Sequence, residues 1–450
     1  VSDKVVCGAC LDVMKRLPDA CVDAIVTDPP YGLEFMGKEW DAPWKHGFSS
    51  PGYGDAERLA RPSFTSSRNP ICRACGKRQR TWKGGPAKCS CPAPKWDRKQ
   101  ADESRAFQAW CEEWAREALR VAKPGAHLVA FGGTRTFHRL ACAIEDAGWE
   151  IRDCLSWLYG SGFPKSLDVS KAIDKAAGAL QHEGKNFRNT AEGVMALRPT
   201  IKPSEYVPPK PFTDAAKQWQ GWGTALKPAW EPCILARKPL VGTVAANVLA
   251  HGTGAINVDA CRIESGPSPS VERRKHAAPA MSIGATGWTT PARPPSYNEQ
   301  RGGEALGRWP ANVALDEEAA AMLDEQTGIS TSRKGNPRAS VAPGVGWGMT
   351  ATGAEYDDSG GASRFFYTAK ASRRERGEGN GHPTVKPVSL MRWLVRLVTP
   401  KGGNVLDPFA GSGTTLLAAH LEGFDYLGIE REAEYVEIIR KRLARVEDLR

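Results

Sequence analysis

Apolar residues along this chain fall into two spacings that alternate. Short continuous runs, the mark of strands buried on both faces, occur at Val5-Val6-Cys7, Ala24-Ile25-Val26-Thr27, Ala126-His127-Leu128-Val129-Ala130-Phe131 and 149–157. More follow at 229–236, Val405-Leu406 and Tyr426-Leu427-Gly428-Ile429. Helical stripes lie between them: Leu11, Met14 and Leu17; Phe107, Trp110, Trp114, Ala118 and Val121; Phe137, Leu140, Ala141 and Ile144. Near the end come Leu390, Trp393, Leu394 and Leu397, then 416–421, then Tyr435, Ile439, Leu443 and Val446. Pro18, Lys123-Pro124-Gly125 and Gly148 punctuate the stripes. Strand and helix in alternation predict an α/β fold, a parallel sheet with crossover helices.

The pattern is interrupted. Between 32 and 100 it is replaced by Gly, Pro, Ser and Arg with four clustered cysteines, a stretch too long for a plain loop and therefore read as a functional insertion. Residues 158–225 give a helix at 169–179 and then a Pro-rich linker. From 240 to 380 only short apolar islands remain, at 255–258 and 312–315, with basic clusters Arg273-Arg274-Lys275 and Arg373-Arg374. This region reads as a separate loop-rich module or a solvated insert. The sheet is thus split, with strands on both sides of it.

Composition narrows the classes of function. Of 450 residues, 41% are hydrophobic and 25% charged, as in a soluble globular chain. No apolar run approaches the ~20 residues of a membrane-spanning helix, and no secretory pattern opens the chain, so a cytoplasmic, nucleoid-associated protein is expected. A net charge of +10 favours a polyanionic partner such as DNA. Twelve cysteines in this setting point to thiols or a metal site and not to a disulfide framework. Several of the fifteen tryptophans (Trp40, Trp44, Trp222, Trp288, Trp347) lie in irregular stretches, where a ring can stack on a base or fill a core.

Two strand-to-turn segments carry candidate chemistry. The late one is Asn404-Val405-Leu406-Asp407-Pro408-Phe409-Ala410-Gly411-Ser412-Gly413-Thr414-Thr415. Its glycines let the backbone approach a ligand, and Thr414 opens a helix whose N-terminal amides favour a carboxylate. Glu430 follows at the end of the next strand, placed to accept hydrogen bonds from ribose hydroxyls. No Gly-x-x-x-x-Gly-Lys-Ser/Thr is present, and Asp407 would set a negative charge beside a pyrophosphate. A carboxylate there suits a cationic cofactor such as S-adenosylmethionine.

The early segment is Asp28-Pro29-Pro30-Tyr31. An exocyclic amine on a base is a poor nucleophile, because its lone pair is delocalised into the ring. The Asp28 carboxylate and the Pro29 carbonyl can accept the two amine hydrogens, and Tyr31 can stack on an extruded base. This turn chemistry predicts direct attack of the amine on a methyl donor, and it serves adenine or cytosine alike.

Together these motifs resemble the amino-group DNA methyltransferases of the β-class order, in which the catalytic turn precedes the target-recognition region and the cofactor motif comes last. The matching stretches are Cys10-Leu11-Asp12, 22–32, His382-Pro383-Thr384-Val385-Lys386-Pro387, 405–415 and 426–430. Thr27-Asp28-Pro29-Pro30-Tyr31-Gly32 is closer to the N6-adenine branch than to the N4-cytosine branch, where Ser often replaces Asp. The resemblance implies a Rossmann-like sheet of seven strands in permuted order, double-stranded DNA as partner and often a homodimer. It implies that residues 1–48 and 101–239 form the catalytic half, 49–100 a Cys/Arg-rich insertion, 240–380 the target-recognition module, and 381–450 the cofactor-binding half. Asp28, Pro29, Pro30 and Tyr31 would be catalytic. Asp12, Asp28, His382, Thr384, Lys386, Asp407, Pro408, Phe409, Gly411, Ser412, Gly413, Thr414 and Glu430 would hold S-adenosylmethionine. One departure stands out: Gly8-Ala9-Cys10 replaces the family's Gly-Asp-Cys, so the hydrogen bond near the cofactor's adenine is missing or comes from Asp12. The expected activity is N6-adenine methylation; the alternatives are N4-cytosine methylation or a silent DNA-binding protein on the same fold.

Cys72-x2-Cys75 and Cys89-x-Cys91 form two pairs that can hold a structural zinc or stay reduced thiols. Arg73, Lys77, Arg78, Arg80 and Lys83 flank them and would make a zinc knuckle a phosphate clamp. Cys7-x2-Cys10 reads as packing. Pro232-Cys233 resembles the nucleophile dipeptide of cytosine-C5 enzymes but sits in an apolar strand ahead of the cofactor motif, so that reading is rejected. Phe365-Phe366-Tyr367 with Lys370 and Arg373-Arg374 reads as a nucleic-acid clamp or a hydrophobic hinge.

Overall fold

Where the hydrophobic pattern is strong, the computed structural model follows it. Residues 4–32, 90–92, 99–162, 166–178, 211–264, 307–331, 358–370 and 385–446 are described. The elements begin with β1 (Val5–Cys7), α1 (Cys10–Met14), β2 (Val22–Thr27), α2 (Lys99–Val121), β3 (Ala122–Phe131), α3 (Phe137–Asp146) and β4 (Glu150–Leu158). Then come α4 (Val169–Ala176), α5 (Asp214–Gln218), β5 (Trp230–Arg237), α6 (Val244–His251), β6 (Val313–Asp316) and α7 (Glu317–Thr327). The chain ends with β7 (Ser330–Thr331), β8 (Ser359–Gly360), β9 (Tyr367–Ala369), α8 (Val388–Val398), β10 (Asn404–Asp407), α9 (Thr414–Leu421), β11 (Asp425–Glu430) and α10 (Ala433–Ala444).

Among the described residues, nine strands form one sheet in the order β1-β11-β10-β2-β3-β5-β4-β6-β9. Only β5 runs antiparallel to its neighbours; the other pairs are parallel. The last two strands of the chain therefore lie between the first two, β10 pairing with β2 through Val405 opposite Ala24 and Leu406 opposite Ile25. Side chains alternate across this centre. Ile25, Leu128 and Ala130 pack with Trp110, Trp114 and Leu140 on one face, while Ala24, Val26, Val129 and Phe131 pack with Leu390, Trp393 and Leu394 on the other. Both faces are covered by helices, which is why these strands read as unbroken apolar runs.

The sheet has two strands more than the seven that the resemblance implies. The extra edge is β6 and β9, built from residues inside 240–380. Ala314, Leu315 and Ala369 are buried there. Helix α6 is tied to the same body: the buried Asn247 side chain donates to the carbonyls of Pro124 (2.9 Å) and Thr253 (2.7 Å) and accepts from the N–H of Val241 (2.9 Å). β6, β9 and α6 thus belong to the same compact unit as the sheet, while β7 and β8 pair with each other. Islands of three or four residues are too short for a periodicity to register. Lys123-Pro124-Gly125 also differs from expectation. β3 begins at Ala122, which pairs with Val22, and the register is irregular until His127 meets Ala24.

The chain divides into two compact units, Val1–Gly160 with Trp230–Arg450, and Ser161–Ala229. The second contains α4 and α5, where a linker was expected after the helix. Asp174 organises it: its carboxylate accepts from the N–H groups of Phe212 (2.9 Å) and Thr213 (3.0 Å) and from the Thr213 hydroxyl (2.7 Å). Among the described residues, no helix is long and apolar enough to cross a membrane.

Candidate active site

The two motif turns, nearly four hundred residues apart in sequence, open from adjacent strands. β2 ends at Thr27 and leads into Asp28; β10 ends at Asp407. The Thr27 hydroxyl donates to Asp407 Oδ1 at 2.7 Å, and the N–H of Phe409 donates to the same oxygen at 3.1 Å. Asp407 is 2% exposed, and burial pushes its pKa up to about 6 against the hydrogen bonds of Thr415, Thr27 and Phe409. Its carboxylate is engaged as a clamp between the two turns. Parallel pairing forces both turns to the carboxyl edge of the sheet, where open α/β folds bind ligands.

Around Asp28 a charged cluster has formed. Lys386 Nζ lies 2.7 Å from Asp28 Oδ2 and 3.2 Å from Glu231 Oε2. The Tyr31 hydroxyl donates to Asp28 Oδ1 at 2.8 Å and lies 3.3 Å from Glu231 Oε2 and 3.1 Å from Lys386 Nζ. The ammonium also sits 4.7 Å from the centre of the Phe131 ring and 5.5 Å from that of Tyr31. Burial works against the charge on Lys386, but Asp28 and Glu231 outweigh it and hold its pKa above the ordinary value. Burial, then Asp28 and Glu231, push the Tyr31 phenol well up, so it stays neutral. The backbone of the turn is held as well, by the Thr136 hydroxyl donating to the Tyr31 carbonyl at 2.6 Å. Pro29 is buried and Pro30 half-buried.

The late turn is packed from two sides. Gly411 and Gly413 take φ of +52° and +80°. A Cβ on Gly413 would come within 2.9 Å of the Ile439 side chain, so this glycine is needed for the seating of α10. The buried Arg442 of the same helix donates to the Ser412 carbonyl (2.6 Å) and lies 3.0 Å from the Thr414 hydroxyl. Phe409 packs against Trp110 and Trp114, with ring centres 5.6 and 5.4 Å away, and Pro408 is buried. Glu430 reaches back to the turn: Oε2 accepts from the N–H of Gly411 (2.7 Å) and Oε1 from that of Glu432 (2.9 Å). Burial pushes its pKa up to about 7, with the two N–H groups pulling the other way.

The remaining expectations divide. Asp12 is exposed on α1; Ala9 stands at the N-cap of that helix without a side-chain cap. The adjoining Gly8 N–H donates to the Glu430 carbonyl at 2.8 Å, so α1 starts beside Glu430. His382 and Thr384 lie outside the described residues, as do Cys72, Cys75 and Cys89; Cys91 is described and half-buried. Among the described residues no cluster of three or more His, Cys, Asp or Glu side chains can hold a metal. Tyr367 is stacked on Trp393 at 5.0 Å with its hydroxyl on the Ser389 carbonyl at 2.8 Å, a packing role, while Arg308 and Arg364 lie 4.8 and 4.3 Å from the centre of the Phe365 ring. Burial pushes the Cys233 thiol well up, in keeping with its rejection as a nucleophile.

Sequence reasoning missed Glu231 and Arg442. Each left a trace: Glu231 is the one acid in the apolar run 229–236, and Arg442 stands a heptad after Tyr435, on the apolar side of its helix.

This geometry, two loops at the carboxyl ends of neighbouring parallel strands, agrees with the comparison to known proteins. The chain belongs to the N6/N4 DNA methylase family, whose model matches residues 22–441. It is therefore a DNA methyltransferase of the N6/N4 class, built on a mixed α/β sheet whose strands are mostly parallel. Type II methyltransferase M.HindIII of Haemophilus influenzae is 23% identical over 433 residues, covering 96% of this chain and 91% of the relative. M2.DpnII of Streptococcus pneumoniae is 39% identical over 77 residues, only 17% of this chain and 29% of that one. Among solved structures, the cytosine-N4-specific PvuII DNA methyltransferase aligns over 99% of this chain and 90% of its own, with 12% identity and a TM-score of 0.39. The complex of M1.HpyAVI with S-adenosylmethionine (SAM) aligns over 98% of each chain, with 13% identity and a TM-score of 0.35.

Proposed function

We propose that this chain methylates N6 of adenine at specific sites in double-stranded DNA, with S-adenosylmethionine as donor. The observation that carries the reading is the meeting of Asp28-Pro29-Pro30-Tyr31 with the Asp407–Thr414 turn on adjacent strands. The donor set suits S-adenosylmethionine. Glu430 is held beneath the turn by two N–H groups and keeps further lone pairs for ribose hydroxyls, and a glycine-bearing turn opens α9. Asp407, Gly411, Ser412, Gly413, Thr414 and Glu430 would hold it, with His382, Thr384, Lys386 and Asp12 at its ends. When bound it supplies a methyl group on a sulfonium and is left as a neutral thioether.

The residues of this chain supply the rest. A paired base hides its amine in the duplex, so the target is turned out of the stack, with Tyr31 supporting its ring. Asp28 and the Pro29 carbonyl accept the amine hydrogens and draw the lone pair out of conjugation. The freed lone pair would take up the methyl group that the cofactor supplies, the bonding electrons remaining with the cofactor, and the nitrogen would release one proton by way of Asp28 to water. Asp in place of Ser at the head of the turn supports adenine over cytosine. The net charge of +10 supports a DNA partner. Residues 240–380, with the 49–100 insertion, would read the sequence, in a homodimer. Asp28→Ala is expected to abolish methyl transfer while DNA binding in a gel-shift assay stays within about twofold; unchanged turnover would show that Asp28 is not the acceptor.

A further inference from the structure

Glu231 belongs to none of the motifs, yet it stands in the cluster that surrounds Asp28. It comes from β5, the antiparallel strand, and its Oε2 lies 3.2 Å from Lys386 Nζ and 3.3 Å from the Tyr31 hydroxyl. Those are the two groups that contact Asp28, on Oδ2 and Oδ1 respectively. Asp28 and Lys386 alone would be a neutral pair. A neutral pair is a poor partner for an amine that gains positive charge as it is methylated. With Glu231 the cluster has two carboxylates and one ammonium.

We infer that Glu231 is a positioning residue of the reaction: it holds Lys386 and Tyr31 in place around Asp28 and leaves the cluster with one net negative charge. That charge offsets the positive charge growing on the target nitrogen, in a site where burial makes fixed charges act strongly. Glu231 is also the second acceptor for Lys386 and Tyr31, so both can turn to it when the amine hydrogens engage Asp28. The other ionisable groups facing the cluster are Tyr159, Cys233 and Asp407. Tyr159 and Cys233 are held neutral by burial, and the Asp407 carboxylate is turned to the Thr27 hydroxyl and the Phe409 N–H, so Glu231 is the carboxylate that meets both Lys386 and Tyr31 beside Asp28.

This inference rests on the methyltransferase reading, and its test separates the two. Purified wild type, Glu231→Gln and Glu231→Asp would be assayed in single turnover, following radiolabelled methyl transfer from S-adenosylmethionine to unmethylated genomic DNA, alongside Kd for cofactor and DNA. Glu231→Gln should slow the transfer step by roughly ten- to a hundredfold, with both Kd values within about twofold. The acid limb of its pH–rate profile should move to lower pH, because a carboxylate ionises more readily once a neighbouring negative charge is gone. Glu231→Asp keeps the charge and should keep the wild-type limb while recovering part of the rate. Should the Gln variant fail to fold, a displaced limb in the Asp variant overturns the inference by itself. A Gln variant with the wild-type rate and profile overturns it too, as does a rate loss matched by lost cofactor and DNA affinity. Wild type that transfers no methyl group to any DNA overturns the methyltransferase reading instead.

Discussion

Glu430 is the residue whose ionisation most directly meets the proposed cofactor. Its carboxyl is buried beneath the late turn and titrates near 7, above the ordinary 4.5. A raised carboxyl pKa means that the folded protein holds the proton more tightly than the unfolded chain. The free protein therefore loses stability as pH rises from about 4.5 to about 7, and changes little from this group above that. Cofactor binding runs the other way, because ribose hydroxyls need the ionised acceptor. Between pH 6 and pH 8 the ionised fraction rises roughly tenfold, so S-adenosylmethionine should bind roughly tenfold more tightly at pH 8. Calorimetric titration at the two pH values checks this; Glu430→Gln should bind weakly and without the pH dependence. Equal wild-type affinities at both would mean that Glu430 does not contact the cofactor.

At the scale of elements, Gly413 shows how a motif residue serves packing. It begins α9 in the left-handed region at φ +80°, with the Ile439 side chain of α10 closing the space a Cβ would need. Gly413→Ala should destabilise the fold by about 1–3 kcal/mol, from backbone strain and the displacement of Ile439. Chemical denaturation of the two proteins measures it, and equal midpoints would contradict the packing account. Legibility followed the same division. The strand at 24–27, the Asp28 turn and the Gly411–Gly413 turn were plain in the sequence because a short apolar run leading straight into a Pro- or Gly-bearing turn marks them. β6 and β9 were not, since three or four apolar residues among Gly and Pro carry no period. Lys386 was named from the resemblance, but its meeting with Glu231 and with Asp28, 358 residues away, needed β5, α8 and β2 to be brought side by side, a property of topology alone.

For the whole molecule, the order of strands is what assembles the site. The C-terminal strands β10 and β11 insert between the N-terminal β1 and β2, so the Asp28 turn and the Gly411–Gly413 turn share one edge although they lie far apart in the chain. The net positive charge of +10 suits a body that approaches a phosphate backbone. We propose that this assembly methylates an exocyclic amine of DNA, on adenine. The most direct measurement is the sequencing of genomic DNA, by a method that reports modified bases, from cells expressing the wild-type chain or Asp28→Ala. N6-methyladenine confined to one short motif, and absent with Asp28→Ala, is the predicted result. N4-methylcytosine would keep the mechanism and move the base. Unmodified DNA from cells that contain the soluble, folded protein would contradict the account.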